Sequence, residues 1–242
     1  MPAVPETPLA SRGALGVSQV DWRHARPHVD PLRRACFLGA GGADDPLDHR
    51  ARHIVAEAVV DGRPQALGAC RLFLVERRAD IAATASAKSY GVEALLERRP
   101  NLRLAELSRF CIAKTAGSRT ALEAIWRALW QVVRAERIEL IFGCASLPGA
   151  DFARHADALA HLCDPTRGDP LWRVRARHPE AAHFPGAVGA PRPRLPALLR
   201  GYAELGATFS PEATLDPDFD TVDVFVAQPV AALNARYVAH FS

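Results

Sequence analysis

Apolar positions along this chain follow two rhythms. HIVAEAVV (53–60), rich in β-branched residues, and ALGACRLFLV (66–75) are near-continuous apolar runs. DGRP separates them and supplies turn-forming residues, so the pair reads as a strand hairpin. LRLAELSRFCIA (102–113), IELIFGCASL (138–147) and TVDVFVAQPV (221–230) read as further strands. In ALEAIWRALWQVVRAE the period changes: Leu122, Ile125, Trp126, Leu129, Val132 and Val133 recur at helical spacing. Ser118 stands where it can cap that helix. PLRRACFLGAGG reads as a short helix ending at its Gly pair, and VEALLERR as another. ADFARHADALAHLCD after Gly149, LPALLRGYAELG and residues 231–241 read as helices too.

Hairpin, strand, loop, helix, strand, helix, then helix and strand predict an α/β sheet of mixed strand direction. Residues 1–24, rich in Pro, Ala and Ser, are expected to fray as a flexible N-terminus. Residues 25–242 are expected to form a single domain. The Pro-, Arg- and Gly-rich stretch 164–194 reads as an insertion or long loop within it.

Composition narrows the functional classes. Nearly half of the 242 residues are apolar, enough for a sizeable core. The net charge is only +3, and Lys occurs only at Lys88 and Lys114, so the basic character is almost all Arg. Such a balance admits an acidic partner and does not call for nucleic acid. Cys36, Cys70, Cys111, Cys144 and Cys163 stand apart, with no CxxC and no zinc-like spacing. They read as free thiols in a reducing compartment. The N-terminus lacks the apolar core of a signal peptide. No uncharged apolar run approaches the ~20 residues that span a bilayer. The expected location is the cytosol or the surface of the inner membrane.

Candidate chemistry gathers around AELSRFCIAK (105–114), which sets Glu106, Ser108 and Arg109 inside an apolar run. On a flat strand Glu106 and Ser108 share one face and Arg109 points the other way, unless a bulge re-aims it. Asp45 and Asp48 form a DxxD just before a strand, Arg71 interrupts GACRLFLV, and Arg33 lies four residues before Phe37 on one helix face. Lys114, Gly117, Ser118 and Arg119 lie where a helix begins, and helix N-termini attract phosphate. Each feature also has an ordinary structural reading: solvated loop acids, a Glu–Arg pair joining two layers, a plain strand–helix connection. Spacing alone does not choose between them.

The set Arg33–Phe37, Asp45–Asp48, Arg71 and Glu106-Leu-Ser-Arg109-Phe resembles the N-acyltransferases that take acyl groups from acyl carrier protein. These are the acyl-homoserine-lactone synthases and the ornithine-lipid N-acyltransferases. FGCASLPGAD (142–151) and the stretch 193–241 resemble the ornithine branch, L-ornithine N(alpha)-acyltransferase. The resemblance covers roughly residues 30–164 and 193–241. It implies a GNAT-like fold: a mixed, mostly antiparallel sheet flanked by helices. It implies transfer of a (3-hydroxy)fatty acyl group from acyl carrier protein to the α-amine of an amino acid, with ornithine expected, giving lyso-ornithine lipid. The alternatives are an acyl-homoserine-lactone or other N-acyl amino acid synthase, and a non-catalytic scaffold that binds carrier protein. Two departures stand out: a DH pair expected before the 53–60 strand reads Arg52-His53, and the donor loop reads Lys114-x-x-Gly117-x-Arg119.

For that reaction the resemblance makes Glu106 the general base and Arg109 its catalytic companion. Arg33, Phe37, Asp45, Asp48, Arg71 and Ser108 are expected to bind substrate, with Asp45, Asp48 and Arg109 gripping the acceptor by charge. Cys111, Ile112, Lys114, Gly117, Ser118 and Arg119 are expected to hold the donor's phosphopantetheine arm. A backbone N–H near Cys111 or Ile112 would meet the oxyanion. Cys111 and Cys144 read as packing residues. No cofactor and no metal are expected, since acyl carrier protein serves as donor substrate. Its acidic surface would meet a basic rim of Lys114, Arg119, Arg192, Arg194 and Arg200, with Arg173, Arg175 and Arg177 as weaker candidates. Stretch 164–194 offers a peripheral membrane contact.

Overall fold

In the computed structural model, residues 7–12, 15–37, 45–60, 62–115, 117–164, 166–178, 180–184 and 193–233 are described. Strands β1 (Thr7–Arg12) and β2 (Leu15–Val20) lie inside the stretch expected to fray. In β2, Leu15 and Val17 alternate inward and pair with Ala58 and Ala56 of β3 (Arg52–Val60), so burial outweighs the loop-like composition around them. Helix α1 (Trp22–Cys36) starts ahead of the expected PLRRAC segment and contains Pro27 and Pro31. The Asp21 side chain accepts from the His24 N–H and fixes its start. Its buried stripe of Trp22, Ala25, Val29, Leu32 and Arg33 supplies the packing that overrides the prolines. The Gly pair at 41–42 lies outside the described residues.

The contacts divide the chain into two compact units: residues 1–74, 107–138 and 235–242, and residues 75–106 and 139–234. In the first, β1, β2, β3 and β4 (Arg63–Val75) run antiparallel in sequence order. The C-terminal half of β5 (Leu104–Ile112) lies beside β4, where the Ala113 N–H donates to the Leu67 carbonyl at 2.8 Å. Helix α3 (Ser118–Ala135) packs Ile125, Leu129, Val132 and Val133 of the predicted stripe into this unit together with Ala121, while Leu122 and Trp126 are only half-buried. Ser118 does not cap it; Gly117 occupies that position. The Ser118 hydroxyl donates back to the carbonyls of Ala113 and Thr115 and tightens the preceding turn.

In the second unit the first residues of β5 run parallel to β6 (Leu140–Pro148), pairing Glu106 with Phe142. Then come β9 (Thr221–Pro229), β8 (Thr208–Asp216) and the short β7 (Ala182–His183), all antiparallel. Helices α2 (Glu93–Arg98), α4 (Ala156–Leu162) and α5 (Ala197–Glu204) flank them. Strand β8 is absent from the sequence expectation because Pro211 breaks its pattern. The register shifts between Phe209 and Ala213, and that irregularity lets the proline sit inside a strand. Residues 164–194 are not a plain loop either. They hold a 3-10 turn, Pro170–Trp172, and β7, and they send Trp172 and Val174 into the core with Tyr90, Leu104, Phe142 and Phe225. The expected helix at 231–241 shows a 3-10 turn at Val230–Ala232, and its remainder falls outside the described residues. Each unit is thus a mixed or antiparallel sheet flanked by helices. No helix among the described residues is long and apolar enough to cross a membrane.

Candidate active site

The candidate residues gather in two constellations, one in each unit. In the first, Asp48 sits between two arginines. Arg33, on the buried face of α1, grips it bidentately at 2.8 and 3.1 Å, and Arg71 of β4 reaches it at 3.1 Å. All three side chains are sealed from solvent. Arg71 also donates to Asp45 at 2.6 Å and, through Nε, to Ser108 Oγ at 3.0 Å. Asp45, at the rim, is within 3.5 Å of Arg109. Burial alone would raise the Asp45 carboxyl. The Arg71 hydrogen bond and charge, the Leu47 N–H and Arg109 outweigh it and hold it at about 2.

His53 completes this cluster. Its Nε2 lies 3.0 Å from the Asp48 carbonyl, which can only accept, so Nε2 carries the hydrogen. Nδ1 is then an acceptor facing Arg33 Nη2 at 3.5 Å. Burial, reinforced by Arg33 and Arg71, lowers the imidazole to about 4 against the pull of the Asp48 carbonyl and carboxylate. Trp22 lies under both, 4.8 Å from the Arg33 guanidinium and 5.0 Å from the His53 ring.

Arg109 resolves the question of strand direction. Its φ is +52°, a left-handed conformation that costs an L-residue roughly 1–2 kcal/mol. Adjacent residues Ser108 and Arg109 therefore both reach the Arg71–Asp45 group, which a flat strand forbids. Arg109 lies 5.9 Å from the Phe37 ring centroid. Among the described residues, the guanidinium groups of Arg33, Arg71 and Arg109 gather around the Asp45 and Asp48 carboxylates and a neutral His53. Arg71 Nη2 has no hydrogen-bond partner among the described residues. Such a cluster suits a bound carboxylate.

In the second unit, Glu106 is fully buried and held by three donors. The Ser86 N–H and hydroxyl both donate to Oε1 at 2.6 Å, and the Ala85 N–H donates to Oε2 at 2.9 Å. A carboxylate has about four acceptor positions, so one remains, on Oε2. Nothing in ATASAKS marks Ser86 as important; it lies in the stretch 77–101 that offers the poorest match to any pattern. His53 was visible only as half of an altered DH pair, and Trp22 lay in the stretch expected to fray.

The residues expected to hold the donor lie together at the end of β5 and the start of α3, all in the first unit. Cys111 is buried and its thiol donates to the Ala69 carbonyl, while Cys36 donates to the Ile112 carbonyl at 3.5 Å. A hydrogen bond with Cys111, set against partial burial, lowers Cys36 to about 7. Lys114 is exposed, and Arg119 pairs with Glu123 at 3.1 Å. Of the expected basic rim, Arg194 and Arg200 are exposed, whereas Arg175 and Arg177 pair with Glu212 and Glu93. Arg173 donates to the Arg167 carbonyl. Arg192 lies outside the described residues.

Known proteins agree with this architecture. Residues 39–127 match the family model described as an acetyltransferase (GNAT) domain, and the chain is an acyltransferase of that fold. It is 34% identical to an L-ornithine N(alpha)-acyltransferase of Brucella abortus (strain 2308), over 96% of this chain and 90% of that one. It is 30% identical to one of Rhizobium meliloti (strain 1021), over 96% and 84%. The chain belongs to the L-ornithine N(alpha)-acyltransferase family. Among solved structures it is similar in fold to FeeM, an N-acyl amino acid synthase from uncultured soil microbes, with a TM-score of 0.51 and 13% identity over 93% of this chain and 94% of that one.

Proposed function

We propose that this protein moves a (3-hydroxy)fatty acyl group from acyl carrier protein to the α-amine of ornithine, giving lyso-ornithine lipid. The names of the relatives support the acceptor. The observation that carries the chemistry is the Glu106 carboxylate, fixed by three donors with one acceptor position left. An ammonium cannot attack a thioester. Glu106, directly or through one water, takes the proton from the acceptor amine, a role worth ~10²–10⁴-fold. The amine then adds to the thioester carbonyl, and the thiol of the phosphopantetheine arm leaves with a proton. No protein nucleophile is needed. Holding amine and thioester together contributes more than the base, up to ~7–11 kcal/mol.

The Arg71–Asp45–Asp48 cluster of the first unit suits a carboxylate group, with Arg71 Nη2 lacking a partner among the described residues. Asp48 and Arg33 then act as positioning residues that hold Arg71 in place. The donor arm would lie along residues 111–119, where Lys114 and the first amides of α3 meet its single phosphate. Exposed Lys114 in the first unit, and exposed Arg194 and Arg200 in the second, are each of the charge that suits the acidic surface of a carrier protein.

The test is product mass spectrometry on purified protein with long-chain 3-hydroxyacyl carrier protein and a panel of ornithine, lysine, glycine, tyrosine and S-adenosylmethionine. An N-acyl-ornithine mass that disappears with Glu106→Gln is the expected result. An acyl-homoserine lactone, or product only with another acceptor, overturns the assignment to ornithine. Product made equally well by Glu106→Gln overturns the role of that residue.

A further inference from the structure

The acyl transfer proposed above needs no protein thiol, yet the first unit sets two side by side. Cys36 ends α1, and Cys111 lies in β5. Leu32, one turn before Cys36, is buried in the same cluster as Cys111, Ala66 and Ala69, and Cys36, Phe37 and Ala113 pack against that cluster. The Cys36 thiol donates to the carbonyl of Ile112, the residue after Cys111, at 3.5 Å. The Cys111 thiol donates to the Ala69 carbonyl at 3.6 Å. When Cys36 is ionised, the Cys111 S–H donates to it instead. The two sulfurs are thus in hydrogen-bond contact, and both belong to one compact unit. A disulfide needs its sulfurs at ~2.05 Å, so a pair already in contact has only the last step of approach to make.

Their surroundings differ in the way that an attacking and a resolving thiol require. Cys36 is half-buried and Cys111 is buried. The hydrogen bond from Cys111, with the Ile112 backbone and the charge of Lys114, outweighs partial burial and brings Cys36 down to about 7. The same bond and deeper burial push Cys111 upward. The remaining thiols are inert by comparison: burial raises Cys70 and Cys163 to about 12 and pushes Cys144 upward. The thiolate, not the thiol, is the nucleophile.

We infer that Cys36 and Cys111 form a hydroperoxide-reactive dithiol, with Cys36 the attacking sulfur and Cys111 the resolving one. The Cys36 thiolate attacks one oxygen of the peroxide. The S–O bond forms, the O–O bond breaks, and the departing oxygen takes a proton and leaves as water. Cys111 sulfur then attacks the Cys36 sulfenic sulfur. The S–S bond forms, the S–O bond breaks, and the Cys111 proton leaves with that hydroxyl as a second water. The two sulfurs give up two electrons, and the peroxide takes them. The bond fastens the last residue of α1 to β5, one residue before Ile112. A reducing dithiol reverses it by exchange.

The experiment treats the reduced full chain with hydrogen peroxide, alkylates the remaining thiols with N-ethylmaleimide and maps the peptides by mass spectrometry. The expected result is one bond joining the Cys36 and Cys111 peptides, alkylation of Cys70, Cys144 and Cys163, and reversal by dithiothreitol. The folded protein should form the bond at least ~10-fold faster than the chain in urea, because unfolding removes both the contact and the lowered ionisation of Cys36. Cys111→Ser should leave Cys36 as a sulfenic acid that dimedone traps, and Cys36→Ser should leave Cys111 unreacted. Cys36→Ser changes a half-buried side chain and decides the matter if Cys111→Ser does not fold. Five alkylated thiols after peroxide overturn the inference. So does a bond through another cysteine, Cys36 driven to sulfinic acid while Cys111 stays free, or equal rates in folded and unfolded chain. None of these outcomes depends on which amine is acylated, so failure here leaves the acyl-transfer reading standing.

Discussion

Arg71 meets Asp48 at 3.1 Å with both side chains shut away from water, and Arg33 closes on the same carboxylate from the other side. Removing one partner of a buried ion pair costs about 3–5 kcal/mol, because the other is left buried and uncompensated. Asp48→Asn leaves two. Urea unfolding should show a loss of at least that order. A residue whose main work was touching substrate would instead raise KM and leave the midpoint alone.

The same cluster sets the acid limit of stability. His53 titrates at about 4 when folded against an ordinary 6.5. Between those values the unfolded chain binds more protons, so stability falls as pH drops through that window. Asp45, held at about 2 against an ordinary 3.8, adds a second loss that begins as pH falls through the ordinary value and completes near its folded one. Unfolding midpoints measured from pH 7 to about pH 2 should therefore fall in two stages. His53→Gln, which can still donate to the Asp48 carbonyl, should flatten the upper stage and spare the lower.

Ser86→Ala removes one of three donors to Glu106 and keeps the backbone pair. The expected result is a kcat reduced roughly 10-fold or more, with KM for the acceptor little changed. Glu106→Gln should lose ~10²–10⁴-fold. Steady-state kinetics of both variants checks the ordering. Equal losses in kcat and in folding stability for Ser86→Ala would make Ser86 a packing residue only.

Gly168 shows how firmly stretch 164–194 is docked. Its φ is +68°, and a Cβ there would lie 2.9 Å from the Thr208 Cα. Strain and crowding together should cost Gly168→Ala about 2–4 kcal/mol, read as a drop in urea midpoint. A loop merely lying on the surface would tolerate the change.

Much of the fold was legible where a single periodicity dominates. The runs at 53–75, 102–113, 138–147 and 221–230, and the stripe from Leu122 to Val133, appear as the elements they predict. Failures occur where tertiary contacts override local signals. Trp22, Val29 and Leu32 carry α1 through two prolines, Pro211 hides β8 inside a register shift, and Trp172 anchors a stretch whose composition says loop.

The site divides the same way. Residue type and resemblance singled out Glu106, Arg71, Asp45, Asp48 and Arg109 as candidates, because charges inside apolar runs are visible in a string. Their division of labour was not visible. That Asp48 is enclosed while Asp45 stays at the rim depends on α1 bringing Arg33 to it. That Ser108 and Arg109 act together depends on one left-handed residue. Ser86 gives no signal at all, since its contribution is a backbone amide and a hydroxyl delivered across twenty residues.

Those two donated N–H groups, from Ala85 and Ser86, have a practical consequence. An amide proton held by a carboxylate resonates far downfield and exchanges slowly with solvent. In a nitrogen-15-labelled sample these two lines would therefore act as a built-in indicator of Glu106, moving together when its proton comes and goes. The carboxylate can be watched spectroscopically without touching it.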